Sequence, residues 1–482
     1  MTVMNMGRYL LAAALLLQPG CGKHDKQVLR AYDSMNRKLV VLSGENAKPK
    51  DFYEQAVFVI VGGGLGGIAA AITLCRQGRP VVLIEETDRV AGCLSPGDTL
   101  SFAENGLVEK YGTSKNYRLF HDLLREWYEK RAENPPAALP GTGGGFCYTT
   151  DAALDVIGTM FEKYEGEGKL TILLRHKAAK VILFDRRVTA VIAVDLDRKT
   201  AALISGWAFI DASGEGDILR LAGVKSVAGA ESRAETNEPH APERADSLIA
   251  MNILACPDNA AFGKKVPGDR AVLDVVQAPQ LDTLGTPDAG GAPPEGAYTF
   301  AVMKEPRRIK PVTLITERDI SAEFQKGPRA RFYKDSVGVG FHPIIVAGPG
   351  GTETAVETKP FQIPLGALLS PDFDNLFAVG GAIGATRVAV SVFTAPQTEW
   401  AVGEAAGMAA SFCGGMKINS QALMKNPDNI QQLQRLIVKT LDMPIYWYDD
   451  VKPGDPDFAE AQLKPFNTPG YDEKSRTLHY RN

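Results

Sequence analysis

The chain has 482 residues, long enough for two or three domains around a large buried core. Hydrophobic residues make up 45% and charged residues 23%, with 53 Lys and Arg against 57 Asp and Glu, a formal net charge of −4. That balance is ordinary for a globular protein and argues against a nucleic-acid partner, and the six cysteines, scattered without a Cys-x-x-Cys pair, argue against any zinc or iron–sulfur site.

Residues 1–21 stand outside the fold. Arg8 precedes the apolar run Tyr9 to Leu17, which is too short to span a bilayer and suits a signal peptide. Gln18-Pro19-Gly20-Cys21 follows and resembles a bacterial lipoprotein signal, although Gln18 stands where a Leu is usual. The resemblance implies an exported protein of the bacterial cell envelope, cleaved before Cys21 and held to the membrane only by a lipid anchor on that cysteine. Ordinary secretion and a cytoplasmic protein with an apolar N-terminus are the competing readings. Residues 22–52 are polar, with Lys and Asp mixed, and read as a tether containing no more than one helical turn.

The next stretch has the order of a complete βαβ dinucleotide cradle. Ala56 to Val61 is an apolar, β-branched run that predicts a buried parallel strand, and it stops at Gly62-x-Gly64-x-x-Gly67. Gly62 permits the tight turn, Gly64 lets a pyrophosphate approach the main chain, and Gly67 allows close helix packing. A helix from Leu65 to about Gln77 then offers its positive end, with the backbone of Leu65 and Gly66, to phosphate oxygens. Gly78 fits the helix stop, and Val81 to Ile84 predicts a second buried strand ending in Glu85-Glu86. An acid at this point accepts hydrogen bonds from ribose hydroxyls. The pattern leaves the identity of the dinucleotide open.

Beyond the cradle, Asp88 to Gly97 is a loop containing Gly92 and Cys93, and Cys93 would face an isoalloxazine ring if the ligand is FAD. Helical spacing covers Phe120 to Arg131 and Ala152 to Tyr164, with a Pro/Gly loop between them. Strand-like runs follow at Leu170 to Leu174, Val181 to Leu183 and Val188 to Val194, with a hairpin around Asp185-Arg186-Arg187. The strand Gly206 to Ile210 leads into Asp211-Ala212-Ser213-Gly214, a turn able to bring its backbone near the same ligand, with a helix starting at Ile218. Residues 257–297 are dense in Pro, Gly and Asp and read as loops. The strand Asn375 to Val379 runs into Gly380-Gly381, and a small-residue helix is predicted over Pro396 to Phe412, with Thr394 as its cap.

Taken together, VGGGLGG at 61–67, FIDASGEGD at 209–217, GAESRAETNEPHAP at 229–242, EPRRIKPVTLITERDI at 305–320 and NLFAVGGAIGATRVAVS at 375–391 resemble the FAD-dependent oxidoreductase family with the glutathione-reductase type of FAD-binding fold. The branch they are most similar to is the one related to the flavoprotein subunit of heterodisulfide reductase. The resemblance implies an α/β protein: a Rossmann-like FAD-binding domain assembled from residues 53–223 and 363–415, an inserted α+β substrate domain at 224–362, and a C-terminal tail at 416–482. It places FAD on Gly62, Gly64 and Gly67 for the pyrophosphate, Glu85 and the adjoining Glu86 for the adenosine ribose, and Ala178 backbone beside adenine. Asp211 and Gly214 close that side, Gly380 and Gly381 approach the ribityl chain and inner phosphate, and the helix after Thr394 points at the flavin pyrimidine edge. The chain departs from the family at Gly380-Gly381 and Val392-Phe393, where an Arg is frequent, and at Ala91, which replaces a glycine. The cluster-binding cysteines of the heterodisulfide branch are absent.

The implied activity is flavin-mediated hydride transfer with a small organic substrate. No second strand, GxGxxG and helix unit is present in the sequence, so bound NAD(P)H is not expected as the acceptor, and a quinone or redox protein is. Candidate catalytic residues are His342 as a base and Arg308 as a carboxylate or oxyanion partner. For His342 the competing role is a structural hydrogen bond, and for Arg308 a salt bridge with a residue such as Glu305. No metal is expected. The alternative function is a surface-tethered flavin-binding or carbohydrate-associated protein with little turnover.

Overall fold

The computed structural model describes residues 39–41, 58–91, 106–135, 146, 148–198, 201–245, 249–255, 298–304, 307–347 and 353–468, with backbone alone for 39–41, 201, 249–255, 298–304, 347 and 353. Strand β1 (Phe58–Val61) is apolar and buried throughout, and its alternate residues face different layers. Phe58 and Ile60 join a helical core, while Val59 and Val61 join a β core, as the two-residue period of a strand requires. Each such burial stabilises the fold by ~1.5–3 kcal/mol. Helix α1 (Leu65–Arg76) is hydrophobic around nearly its whole circumference, and Gly78 follows at φ +71° as the helix stop. Strand β2 (Val81–Ile84) pairs in parallel with β1, Phe58 opposite Val81 and Val61 opposite Ile84.

Helices α2 (Gly106–Tyr111), α3 (Lys115–Arg131) and α4 (Thr150–Gly166) come next. Ser114 and Thr149 cap the last two, each accepting a backbone N–H at 3.2 Å. Both helices start earlier than their apolar spacing predicts, because a capped first turn is polar and carries no periodic signal. Strand β3 (Leu170–Leu173) adds in parallel to β2. Strands β4 (His176–Phe184), β5 (Arg187–Asp195) and β6 (Ala201–Ser205) form an antiparallel meander, with Asp185 at φ +52° in the first turn. Residues Leu39–Val41 pair in parallel with β6. These three residues of the expected tether form a strand, an open sheet edge having decided what local composition left undetermined, and the rest of residues 22–52 lies outside the described residues.

Strand β7 (Ala208–Asp211) returns to the parallel sheet, followed by α5 (Asp217–Leu221) and β8 (Ser226–Ala228). Residues Ile249–Ala255 and Tyr298–Lys304 pair with each other in antiparallel fashion. Strand β9 (Arg307–Ile309) pairs with β8. Strands β10 (Ser336–Gly340), β11 (Ile344–Ala347), β12 (Glu353–Val356) and β13 (Phe361–Pro364) nest as two antiparallel pairs, β11 with β12 between β10 and β13. Strand β14 (Leu376–Ala378) completes the parallel sheet in the order β14-β7-β1-β2-β3.

Helix α6 (Pro396–Met416) packs on α1 at backbone contact: a Cβ on Gly403 would lie 2.1 Å from the Gly66 carbonyl, and one on Gly407 2.9 Å from that of Ala70. Helices α1, α3, α4 and α6 thus cover one face of the parallel sheet and the β4–β6 meander covers the other. The stretch expected as a tail carries α7 (Pro427–Leu441) and α8 (Phe458–Asn467). Between them Trp447 and Tyr448 are 1% exposed, and the Arg329 Nε–H donates to the Trp447 carbonyl at 2.7 Å.

Candidate functional site: a glycine cradle at the end of the parallel sheet

The β1–α1 turn is held by its neighbours on every side. Gly62 has φ +103°, and a Cβ there would lie 2.3 Å from the Ala212 carbonyl; one on Gly67 would lie 2.0 Å from the Gly62 carbonyl. Those two glycines are required by the protein's own packing. Gly64 is different: it caps α1 in extended conformation, and the nearest atom to a Cβ there is the Glu399 Oε1, 3.1 Å away. Glu85, 6% exposed, braces the loop, its Oε2 accepting the Gly63 N–H at 2.6 Å and its Oε1 the N–H and hydroxyl of Thr87 at 2.9 and 2.8 Å. Glu86 pairs with Lys177, which also lies 3.8 Å from Asp217. Burial raises the Glu86 carboxyl above its usual range against the pull of that lysine.

The β7–α5 turn closes over the same place. Asp211 is fully buried and spends both oxygens on its own turn: Oδ1 accepts the Ser213 hydroxyl at 2.6 Å and Oδ2 the Leu219 N–H at 2.9 Å. Burial outweighs those bonds and pushes its carboxyl up to about 6. Ala178 is buried at a register shift in β4. Gly214 is exposed, and its carbonyl lies 3.5 Å from where a Cβ on Gly381 would stand. Gly380 has φ +60°, and a Cβ on it would lie 3.3 Å from the Glu399 Oε1. Glycines from positions 64 and 380 therefore face one carboxylate, which receives the Gly66 N–H at 3.1 Å. Gly92 and Cys93 lie outside the described residues.

The cap of α6 differs from expectation. Ala395 is the capping residue, without a side-chain bond, and Pro396 follows in the first turn; the exposed Thr394 donates its hydroxyl to the Ser391 carbonyl at 3.0 Å. Thr394 is displaced because the residues before it form a 3-10 turn, Ser391–Phe393, whose free carbonyl claims the hydroxyl.

The two candidate catalytic residues occupy separate places. His342 follows β10, its Nδ1 bonded to the Pro343 carbonyl at 2.7 Å and its own carbonyl to the Thr358 hydroxyl at 2.9 Å. Nδ1–H donation leaves Nε2 as the acceptor nitrogen, and burial lowers the imidazole below its ordinary range, so the ring is neutral at pH 7. Arg308 on β9 is 1% exposed; its Nε–H donates to the Ala385 carbonyl at 2.9 Å and its Nη2 lies 2.8 Å from Glu231. Its ionic partner among the described residues is thus Glu231, 77 positions away, and Glu305 lies outside them. Glu231 also receives the Arg387 N–H at 2.9 Å, and burial beside Arg308 lowers the Arg387 guanidinium.

A buried acid network adjoins this pair and escaped the sequence reading. Glu238 Oε1 accepts the Thr386 hydroxyl at 2.5 Å and the Glu317 N–H at 2.6 Å, and the Glu317 carboxylate bonds His240 Nδ1 at 2.5 Å. Two further acids were missed in α6. Glu404 is buried, accepts the Asn116 amide at 2.6 Å and is pushed up to about 7, chiefly by burial. Glu399 is only partly shielded from solvent by its neighbours, yet its carboxyl is likewise pushed up to about 7, by desolvation against the single opposing bond from Gly66. The available signal was a pair of acids on a helix whose other residues are almost all small or apolar.

The geometry suits a dinucleotide diphosphate. Gly64 and Gly66 stand at the positive end of α1 with Gly380 close by, and the Glu399 carboxyl already accepts a backbone N–H there. A family model described as FAD dependent oxidoreductase matches residues 58–285 and 297–437. No curated protein matches the sequence. Among solved structures, a geranylgeranyl bacteriochlorophyll reductase-like protein from Thermoplasma acidophilum is 14% identical, covering 80% of this chain and 84% of its own, with a TM-score of 0.35. An anhydrotetracycline hydroxylase from Streptomyces rimosus is 12% identical, covering 80% and 66%, with a TM-score of 0.36. A myxobacterial chondrochloren halogenase is 12% identical, covering 84% and 85%, also with a TM-score of 0.36. At these levels the solved structures say nothing about the substrate. The family match spans well over half of the chain and coincides with the cradle: the chain belongs to the FAD dependent oxidoreductase family and is a flavin-dependent oxidoreductase with FAD as its cofactor.

Proposed function

We propose that the protein exchanges hydride between FAD and a small organic substrate received under residues 224–362, and that an external acceptor such as a quinone or redox protein completes the cycle. Within the family we place it in the exported branch related to heterodisulfide reductase flavoproteins. FAD supplies the hydride chemistry when bound. Gly62, Gly64, Leu65, Gly66, Gly67, Gly380 and Gly381 receive its diphosphate and ribityl chain, with the β7–α5 turn alongside. The observation that carries the substrate assignment is the position of β9. A Cβ on Gly216 would lie 2.7 Å from the Arg307 carbonyl, and Arg308 is hydrogen-bonded to Ala385, so the middle segment lies against both turns that flank the cradle. The Arg308 guanidinium and the backbone N–H of Arg387 both meet Glu231, and we take this charged cluster as the place that fixes the polar end of a substrate. His342 acts as a base through Nε2 if the substrate reaches it.

The test is anaerobic reduction of the purified protein. FAD is expected in a heat-released extract, and one member of a panel of sugars, alcohols, amines and hydroxy acids is expected to bleach the bound flavin within seconds. A flavin that bleaches with dithionite but with no panel member would favour a tethered flavin-binding or carbohydrate-associated protein. That second reading is motivated by Gly380-Gly381 and Val392-Phe393, positions where the resemblance to the family leads one to expect arginine. We also propose export and anchoring through Cys21, on the strength of the N-terminal sequence pattern.

A further inference from the structure

On the cofactor assignment proposed above, the Glu399 carboxylate stands at the turn that would receive the diphosphate. Its Oε1 takes the Gly66 N–H at 3.1 Å, and the same oxygen is the nearest atom to the Cβ positions of both Gly64 and Gly380. The missing side chains leave space at both glycines, and the protein's own carboxylate occupies it. A carboxylate and a phosphate oxygen cannot both accept one N–H, and two anions in contact inside a partly desolvated cleft repel each other.

Among the described residues, the groups that face Glu399 are Gly64 and Gly66 from the β1–α1 turn and α1, and Val379 and Gly380 from the turn after β14. None of them titrates or carries a charge. Glu85, the acid on the neighbouring Gly63, has its oxygens engaged by Gly63 and Thr87. No cation among these elements neutralises Glu399 when a second anion arrives. The route left open is protonation: a neutral carboxyl gives up the Gly66 N–H to a phosphate oxygen and turns its own O–H toward the phosphate as a donor.

We propose that Glu399 couples FAD binding to proton uptake, occupying the phosphate position as a carboxylate in the free protein and donating a hydrogen bond to the diphosphate as a carboxylic acid in the complex. Charge balances in this step, one solvent proton entering for each FAD bound by a protein whose Glu399 is ionised. The inference rests on the cofactor assignment and is independent of the substrate.

The free carboxyl is held near 7 by burial, so protonated protein is abundant at pH 6 and scarce at pH 8. The apparent dissociation constant scales inversely with that competent fraction, which predicts about tenfold weaker FAD binding at pH 8 than at pH 6. The diphosphate of FAD keeps its charge over this range and contributes no slope. Titration of the full flavin-free chain with FAD, followed by quenching of flavin fluorescence, gives the constants. Calorimetry at pH 8 in two buffers of different ionisation enthalpy gives the protons taken up, expected to approach one per FAD. Glu399→Gln, which keeps shape and a donor, is expected to bind FAD equally at both pH values, to take up no proton, and to exceed the wild type about tenfold at pH 8. Glu399→Ala is expected to be pH-independent as well. Equal wild-type affinity at the two pH values, or an unchanged slope in Glu399→Gln, would overturn the coupling while leaving the cofactor assignment standing. Failure of both proteins to bind FAD at pH 6 would overturn the two together.

Discussion

Desolvating an acid is expensive unless something compensates its charge, and in three acids here desolvation outweighs the hydrogen bonds they accept. Glu404 and Asp211 are fully buried, and among the described residues Glu399 accepts a single backbone N–H. Their carboxyls rise to about 7, about 6 and about 7. An unfolded chain releases these protons near the ordinary carboxylate range, whereas the folded one still holds them. The stability they contribute is therefore complete below about pH 4 and is lost as pH rises toward 7. The flavin-free protein is expected to show a falling thermal midpoint from pH 5 to pH 8, and Glu404→Gln to flatten that fall. A midpoint that rises over this interval would contradict the assignment. Glu109 works in the opposite direction, held down to about 2 chiefly by its hydrogen bond to His121, and acts only below this window.

At the scale of elements, the cradle depends on how closely two helices approach. Gly403 and Gly407, one turn apart on α6, let its backbone rest on Gly66 and Ala70 of α1, and this contact carries Glu399 to the Gly66 N–H. Gly→Ala inside a helix normally stabilises by ~1 kcal/mol through propensity. At Gly403 the new methyl would come 2.1 Å from a carbonyl oxygen that cannot retreat without moving α1. Overpacking of this kind costs ~1–3 kcal/mol, so the clash outweighs the propensity gain. Gly403→Ala is expected to lower the urea midpoint and to weaken FAD retention together. The matched change at Gly158, an interior glycine of α4 with open space around its Cβ position, is expected to raise the midpoint. An unaltered or raised midpoint for Gly403→Ala would show that α6 is free to slide.

Across the whole molecule, the catalytic domain and the N-terminal segment make separate demands. The proposed anchor predicts that the mature protein recovered from bacterial envelopes begins at a diacylated or triacylated Cys21. Mass spectrometry of its N-terminal peptide checks this, and an intact Met1 or an unmodified cysteine would exclude it. The βαβ unit was legible residue by residue from Val61 to Glu85, because strand, glycine turn and helix are set by contacts within one short stretch. Both candidate catalytic residues were chosen for side-chain type alone, and their partners Ala385, Glu231 and Pro343 were visible only once the strands had been assembled. The same holds for Asp211 and Glu85, whose carboxylates brace their own loops, and for the stretch after residue 416, where Trp447 is buried against β10 and its neighbours.

By itself, the sequence determined a parallel βαβ cradle, its glycines and the family's cofactor, since backbone conformation and hydrophobic period are properties of adjacent residues. Only the tertiary structure decided that Glu399, 335 positions beyond Gly64, lays its carboxylate on the β1–α1 turn. Burial and charge competition depend on which distant segments share a cleft, and no local pattern encodes that.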